Sequence, residues 1–522
     1  MAPRITIMSK AGEVYNVPRG TAYLTTQQII TYTTYLIFYV ALARILRPDE
    51  VGQISLLLAA QTVFTALTQL GLPSAATRYI SGNIGKGDRQ AAGAVARTIL
   101  RLSILVGAVG FVTAALISPV VGPSVIGRSD AGTLLILTFL SGFMLDIILV
   151  YGAYFIGIGA YARNLYQNAL YIPFSRGLGL LLAFLGYRVT GIVSGWVIGG
   201  LVAVLLSSYL WHGRLPEKTS HPIKPLLAFS LPVFGSALIA FGQQYGDITI
   251  LQAIIGQLST TGAYYLIVSS VSFLSVLWIP VTQALYPALS ASHATGGTEA
   301  VSERLAVAFR LTNLAVLPLG AALAAIAPTA IELVYGPTYV SQAGIFAILA
   351  LATIFTAQGA ILTTSLQAVG RARQVLIVTL LSTVVGLLVV ITTARFVGTL
   401  GGALGRTILS IGTVILARRS MGPSVKTHSE NALPIALLLA IGVGVPLAIA
   451  DYLLIGHLSP FRRLPILVVV FVLAFLTISR TLKIFRASDF AILKDALPHR
   501  FHPQLRAIEH LIVGRRKDRD HG

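Results

Sequence analysis

The sequence predicts an all-α polytopic membrane protein of about fourteen transmembrane helices, arranged as two parallel six-helix lobes plus two extra helices. Three observations predict it. Apolar residues gather in separate stretches, each long enough to cross a bilayer at roughly 20 residues per crossing. The basic residues fall mainly in alternate loops. Loop features recur at an offset of about 210 residues, the signature of an internal repeat. With 55% hydrophobic and 11% charged residues, a water-soluble domain could not cover its surface, whereas lipid accepts that composition directly.

The spans run near 20–44, 53–77, 95–120, 132–158, 166–186, 190–211, 226–255, 261–288, 305–327, 341–368, 374–395, 399–417, 433–455 and 464–480. Helices are preferred to strands because the apolar runs are continuous, where a barrel would show short alternating segments. Residues 1–19 form a polar N-terminal arm without an apolar centre, so the first spanning helix itself directs insertion. The first lobe covers 20–211, a linker 212–225, the second lobe 226–420, the extra helices 433–480 and a basic tail 481–522. In the tail, Leu493, Leu497, Leu505, Ile508 and Leu511 precede Arg515, Arg516 and Lys517, a pattern for basic amphipathic helices on anionic lipid.

With the N-terminus in the cytoplasm, 29 of the 38 Lys and Arg lie in the arm, the inward loops and the tail. The positive-inside rule then places both termini in the cytoplasm of a multi-pass cell-membrane protein. The same distribution accounts for the formal net charge of +20, since no basic domain suited to nucleic acid is present. Cysteine is absent, which excludes disulfides, thiolate zinc sites and thiol nucleophiles. No metal spacing, phosphate-loop glycine motif or catalytic triad occurs, so the expectation is a non-enzyme without cofactor or metal. A membrane glycosyl polymerase or ligase would need acids or His on accessible loops, and the outward loops are short.

The repeat sets Gly52 on Gly262, Gly87 on Gly297, Arg163 on Arg373, and Gly191 and Gly195 on Gly401 and Gly405. An offset of six spans preserves orientation, giving parallel repeats about an axis along the membrane normal. Two such lobes enclose a groove that rocking exposes to either face, which is a transporter architecture. A channel would show a short symmetric pore motif instead.

Residues 41–81, ALARILRPDEVGQISLLLAAQTVFTALTQLGLPSAATRYIS, resemble the opening of polysaccharide and oligosaccharide-lipid flippases of the multidrug/oligosaccharidyl-lipid/polysaccharide exporter superfamily. Asp247-Ile248-Thr249 through Gly262-Ala263-Tyr264, then Tyr286-Pro287-Ala288-Leu289-Ser290, is similar to the second lobe of that family. The runs IELVYGPTYVSQAGIFAILAL at 331–351 and LQAVGRAR at 366–373 look like the two ends of its span ten. The resemblance covers roughly residues 15–420 and implies a carrier that turns a polyprenyl-phosphate or polyprenyl-pyrophosphate glycan across the membrane, from the cytoplasmic to the outer leaflet. Its partners would be the lipid-linked glycan, membrane lipids and glycan-assembly enzymes at the cytoplasmic face. Peptidoglycan-precursor flippases of the superfamily carry an arginine midway along span one, and here Leu24–Ala43 contains none. A cation-coupled multidrug exporter is the alternative, because the folds are shared.

Charges inside a span cost about 2.5–3.5 kcal/mol on insertion scales, so each is a functional candidate. Asp146 and Arg176 lie at matching depth, roughly 18 and 15 Å from the inner ends of spans four and five at the helical rise. They are candidates for an ion pair, with cation coupling by Asp146 and phosphate binding by Arg176 as the other reading. Asp247 and Arg406 could pair likewise. Gln243, Gln244, Tyr245, Thr249 and Gln252 surround Asp247 in the most polar stretch of any span, so Asp247 with Gln243 and Gln244 is the candidate site for a coupling Na+ or proton, a use that related carriers make of span-seven acids. Arg78 and Arg310, with Arg176 and Arg406, are the phosphate or pyrophosphate candidates, because a guanidinium fork matches phosphate oxygens. Gln27, Gln28 and Thr31 in span one, Gln61 and Gln69 in span two, and Tyr264 and Gln283 in span eight are candidates for a sugar-facing wall, since these spans face the groove in related proteins. Helix-bridging packing would use the same residue types.

Overall fold

A computed structural model describes residues 6–8, 14–127, 130–211, 222–422 and 432–486, with single positions 503 and 509. The expected helices in the tail lie outside the described residues, as do residues 212–221 of the 212–225 linker. Ahead of the helices a small antiparallel pair, β1 (Thr6–Met8) and β2 (Val14–Asn16), closes on itself.

The first helices are α1 (Val17–Ile45), α2 (Pro48–Gln69), α3 (Leu72–Gly85), α4 (Arg89–Ile126), α5 (Ala131–Gly157), α6 (Tyr161–Leu182), α7 (Arg188–Trp211) and α8 (Ile223–Ile255). Then come α9 (Leu258–Ser272), α10 (Ile279–Ala325), α11 (Ala327–Tyr335), α12 (Ala343–Ala368), α13 (Ala372–Val397), α14 (Thr399–Met421), α15 (Ala432–Leu454) and α16 (Pro460–Thr481). Local sequence explains many of the boundaries. Asp88 caps α4 by accepting the Ala91 amide at 2.8 Å, and Gly127 ends that helix in the left-handed region at φ 73°.

Thirteen helical stretches among the described residues are long and apolar enough to cross a membrane. One of them, Tyr161–Trp211, has 51 residues and holds two crossings. Gly186 (φ 103°) and Arg188 (φ 49°) break it, and α7 returns along α6: a Cβ on Gly195 would lie 2.3 Å from the Gly179 nitrogen, and one on Gly199 2.4 Å from the Ser175 Cβ. Small residues let the two backbones touch. A similar crossing joins α13 and α14, where a Cβ on Gly386 would meet the Gly405 carbonyl oxygen at 2.9 Å.

Two expectations change. Span two is not one helix over 53–77: Leu70 (φ 49°) and Gly71 (φ 71°) turn left-handed between α2 and α3, and Pro73 supplies no amide to continue the ladder. Spans eight and nine are not separated by a loop. A 3₁₀ turn, Phe273–Leu277, interrupts span eight, and α10 then runs unbroken through the residues expected between the spans. Gly296 and Gly297 cost a helix about 1 kcal/mol each, a deficit offset by burial of Leu289, Val301 and Leu305 along the same helix.

The chain packs into two compact units, Met1–Leu266 with Val390–Gly402, and Ile267–Val389 with Ala403–Gly522. In the first, Ile80, Ile99, Tyr154 and Phe155 are fully buried at the centre of a cluster from α3, α4 and α5. In the second, Trp278, Leu314, Leu317, Leu439 and Leu447 join α10 to the additional helix α15. Each unit also has an arginine that satisfies the open carbonyls of a helix C-terminus. Arg163 donates to the Leu210 carbonyl at 3.2 Å, and Arg371 to those of Ser420 and Met421 at 2.7 and 3.1 Å. Ser420 stands 210 residues after Leu210, so the structural counterpart of Arg163 is Arg371, two positions before the Arg373 of the sequence register.

Candidate binding site

Arg176 is the centre of the site in the first unit. Pro173 precedes it within α6, and the glycine crossing with α7 brings the neighbour of Gly195, Trp196, over its guanidinium. Its Cζ lies 4.7 Å from the Trp196 ring, 5.3 Å from Phe38 and 5.5 Å from Tyr35. The residue is 8% exposed, Nη1 has no hydrogen-bond partner among the described residues, and no carboxylate there pairs with it. Cation–π contacts are worth about 0.5–2 kcal/mol each, well short of the cost of an uncompensated buried charge. The arrangement holds one fixed positive charge with an open donor and calls for an anion.

The ion pair expected between Asp146 and Arg176 does not form. Residue counting gave their depths, but not their rotation about the helix axes. Asp146 points from α5 toward α2 and α4, where the Thr68 hydroxyl lies 2.5 Å from Oδ2 and a Cβ on Gly107 would come within 3.8 Å of the same oxygen. Arg176 points toward α1 and α7. Asp146 is fully buried, and its Oδ1 has no partner among the described residues.

The polar stretch of α8 ties helices together. Asp247, 2% exposed, accepts the Tyr264 hydroxyl at 2.6 Å. Gln252 accepts Thr261 at 2.8 Å, Tyr245 is hydrogen-bonded to Thr62, and Thr249 turns back to the Tyr245 and Gly246 carbonyls at 3.1 and 2.9 Å. Gln243 is half-buried and Gln244 exposed. Of the wall candidates, Gln27 accepts Asn164 at 2.6 Å and Gln61 donates to Ser141 at 2.7 Å. Thr31 and Gln69 are half-buried, Gln28 and Gln283 exposed, and Tyr264 is fully buried under Asp247. Beside this stretch lies an apolar groove of about 890 Å³ between α2, α4, α5 and α8, lined by Phe64, Leu67, Phe139 and Phe241, with Thr249 and Gln252 at its polar edge.

The remaining arginines have other neighbours. Arg78 is exposed and stacks on Phe229 at 4.4 Å, and Arg310 donates to the Ile484 carbonyl beyond α16 at 2.9 Å. Arg406 is half-buried in α14.

Two charged clusters escaped the sequence reading. Arg463, 4% exposed in α16, pairs with Glu332 and donates to Thr329 at 2.7 Å, while Thr329 bonds Asp451 at 2.5 Å. Arg188 forks onto Glu50 at 2.9 and 2.5 Å and reaches the Ile45 carbonyl at 3.2 Å. Counted as loop residues, these arginines gave no signal of burial or clamping. The aromatic cage was more legible, since Tyr35, Phe38 and Tyr39 recur at helical spacing on one face of α1.

A family model described as "Polysaccharide biosynthesis protein" matches residues 17–293, more than half of the chain. The chain belongs to the polysaccharide biosynthesis protein family. Its fold is that of the multidrug/oligosaccharidyl-lipid/polysaccharide superfamily. The lipid II flippase MurJ in an inward closed conformation superposes with a TM-score of 0.69 at 13% identity, over 89% of this chain and 98% of that one. An inward-facing multidrug resistance MATE family transporter gives 0.65 at 18% identity, over 78% and 98%. A transporter of the superfamily from Pyrococcus furiosus gives 0.56 at 16%, over 78% and 97%. No curated protein matches the sequence. The protein is thus a multi-pass, helical membrane protein of the polysaccharide biosynthesis protein family, with the fold that these transporters share.

Proposed function

We propose that this protein is a flippase that moves a polyprenyl-phosphate or polyprenyl-pyrophosphate oligosaccharide, a precursor of polysaccharide or glycoprotein glycans, from the cytoplasmic to the outer leaflet by alternating access. The observation that carries the reading is Arg176: a buried guanidinium in an aromatic cage, with no partner for Nη1 and no acid beside it among the described residues. A phosphate oxygen completes that site, and the rings exclude water from it. An organic-cation exporter would be poorly served by an uncompensated buried positive charge. The apolar groove beside α8 supports the reading further, because a polyprenyl chain needs an apolar lining. Asp247 is the candidate for the coupling Na+ or proton, both termini face the cytoplasm, and glycan-assembly enzymes would meet the carrier there.

Reconstituted protein tests this directly. Lipids co-purified with it should contain a polyprenyl-linked glycan by mass spectrometry. Arg176→Ala should slow flipping of a polyprenyl-diphosphate disaccharide in proteoliposomes about 10- to 100-fold, the loss of one charge-assisted contact of about 1.5–3 kcal/mol, with Arg176→Lys intermediate. A folded Arg176→Ala protein that flips at the wild-type rate would remove the site from the mechanism.

A further inference from the structure

Gly52 in α2 and Gly262 in α9 stand 210 residues apart, the spacing of the repeat, and the fold lays them directly against each other. A Cβ on Gly262 would come within 2.4 Å of both the Gly52 nitrogen and the Pro48 carbonyl oxygen, and one on Gly52 within 2.0 Å of the Leu258 carbonyl oxygen. All these neighbours are backbone, so no rotamer change relieves the clash. Where two repeat-equivalent residues touch, the repeat axis passes between them.

From this juxtaposition we infer that the Gly52–Gly262 contact is the closure of one face of the carrier, made by backbone against backbone and parted each time that face opens. The inference rests on the alternating-access reading above. Each glycine is fixed to its own side by polar bonds. Glu50, two residues before Gly52, is held by the Arg188 fork, and Thr261 and Tyr264, flanking Gly262, bond Gln252 and Asp247 of α8. No hydrogen bond or ion pair joins Gly52 to Gly262, so parting the two glycines themselves breaks no polar bond. The Tyr265 hydroxyl, which donates to Tyr39 at 3.0 Å about a turn further along α9, would be released in the same movement. Small residues suit the task because close packing of backbones is strong when formed, yet needs no interdigitated side chains to be withdrawn. By the topology proposed here, the N-terminal ends of α2 and α9 lie at the outer face.

The cysteine-free chain allows spin labels on single cysteines at Asp49, in the first turn of α2, and Gln257, immediately before α9. With both glycines intact, a short-distance population should dominate. Gly262→Ala or Gly52→Ala should make a longer distance the majority, because the closed state is the one that a Cβ destabilises. A reversible bifunctional methanethiosulfonate bridging the same two cysteines, with the glycines unchanged, should stop transport and dithiothreitol should restore it. Unchanged distances in the folded alanine variants, or undiminished transport by the bridged protein, would overturn the inference. The distance measurement needs no cargo, so it stands or falls separately from the identity of the lipid carried.

Discussion

Buried charges in this protein meet three different environments, and each predicts a different response to substitution. Arg176 has no acid beside it among the described residues, Asp146 rests on the Thr68 hydroxyl, and Asp247 takes the Tyr264 hydroxyl. If Asp247 binds the coupling cation, Asp247→Asn keeps the shape and the acceptor for Tyr264 while losing the charge that attracts the ion. Flipping by that variant should continue and lose its dependence on an imposed sodium or proton gradient in proteoliposomes. A well-folded variant that retains the dependence would eliminate the coupling role. That these residues were charges at membrane depth was plain from the chain. Which partner each one meets depends on a rotation of about 100° per residue around the helix axis, which spacing along one span does not anchor to a neighbour.

Among the helices, α11, α15 and α16 are tied together by one buried polar network. α16 is held by Arg463, whose guanidinium meets Glu332 of α11 and Thr329, with Asp451 of α15 at 3.9 Å. Removing one partner of such a network leaves the others buried and uncompensated, at a cost of about 3–5 kcal/mol. Arg463→Ala should therefore lower the midpoint of thermal unfolding in detergent, while Arg462→Ala, at the exposed neighbouring position, should leave it unchanged. Equal midpoints for the two variants would show that the network contributes nothing. The break between α2 and α3 was announced by Leu70-Gly71-Leu72-Pro73, a left-handed stop followed by a residue without an amide hydrogen. Yet the strong apolar pattern on both sides of it reads as one span, because hydropathy is blind to backbone direction.

For the whole molecule, the distribution of 29 of 38 basic residues predicts the orientation in the membrane. Single cysteines at Gly87 and Gly213 should resist an impermeant thiol reagent in intact cells, and cysteines at Gly127 and Thr260 should react. The opposite labelling would reverse the topology, and with it the assignment of the Gly52–Gly262 closure to the outer face.

The sequence by itself determined the all-helical, many-spanning character, the superfamily resemblance and the few ionisable residues at depth. These follow from bulk transfer energies: about 20 apolar residues must span, and a charge must stay near water or find a use. Only the tertiary structure decided that Asp146 and Arg176 turn away from each other, that Arg463 is buried and clamped, and that two repeat glycines meet. Contacts of that kind arise where helices distant in sequence cross. Their crossing is chosen by the packing of small residues and by hydrogen bonds between helices, which are properties of pairs of surfaces and of no single span.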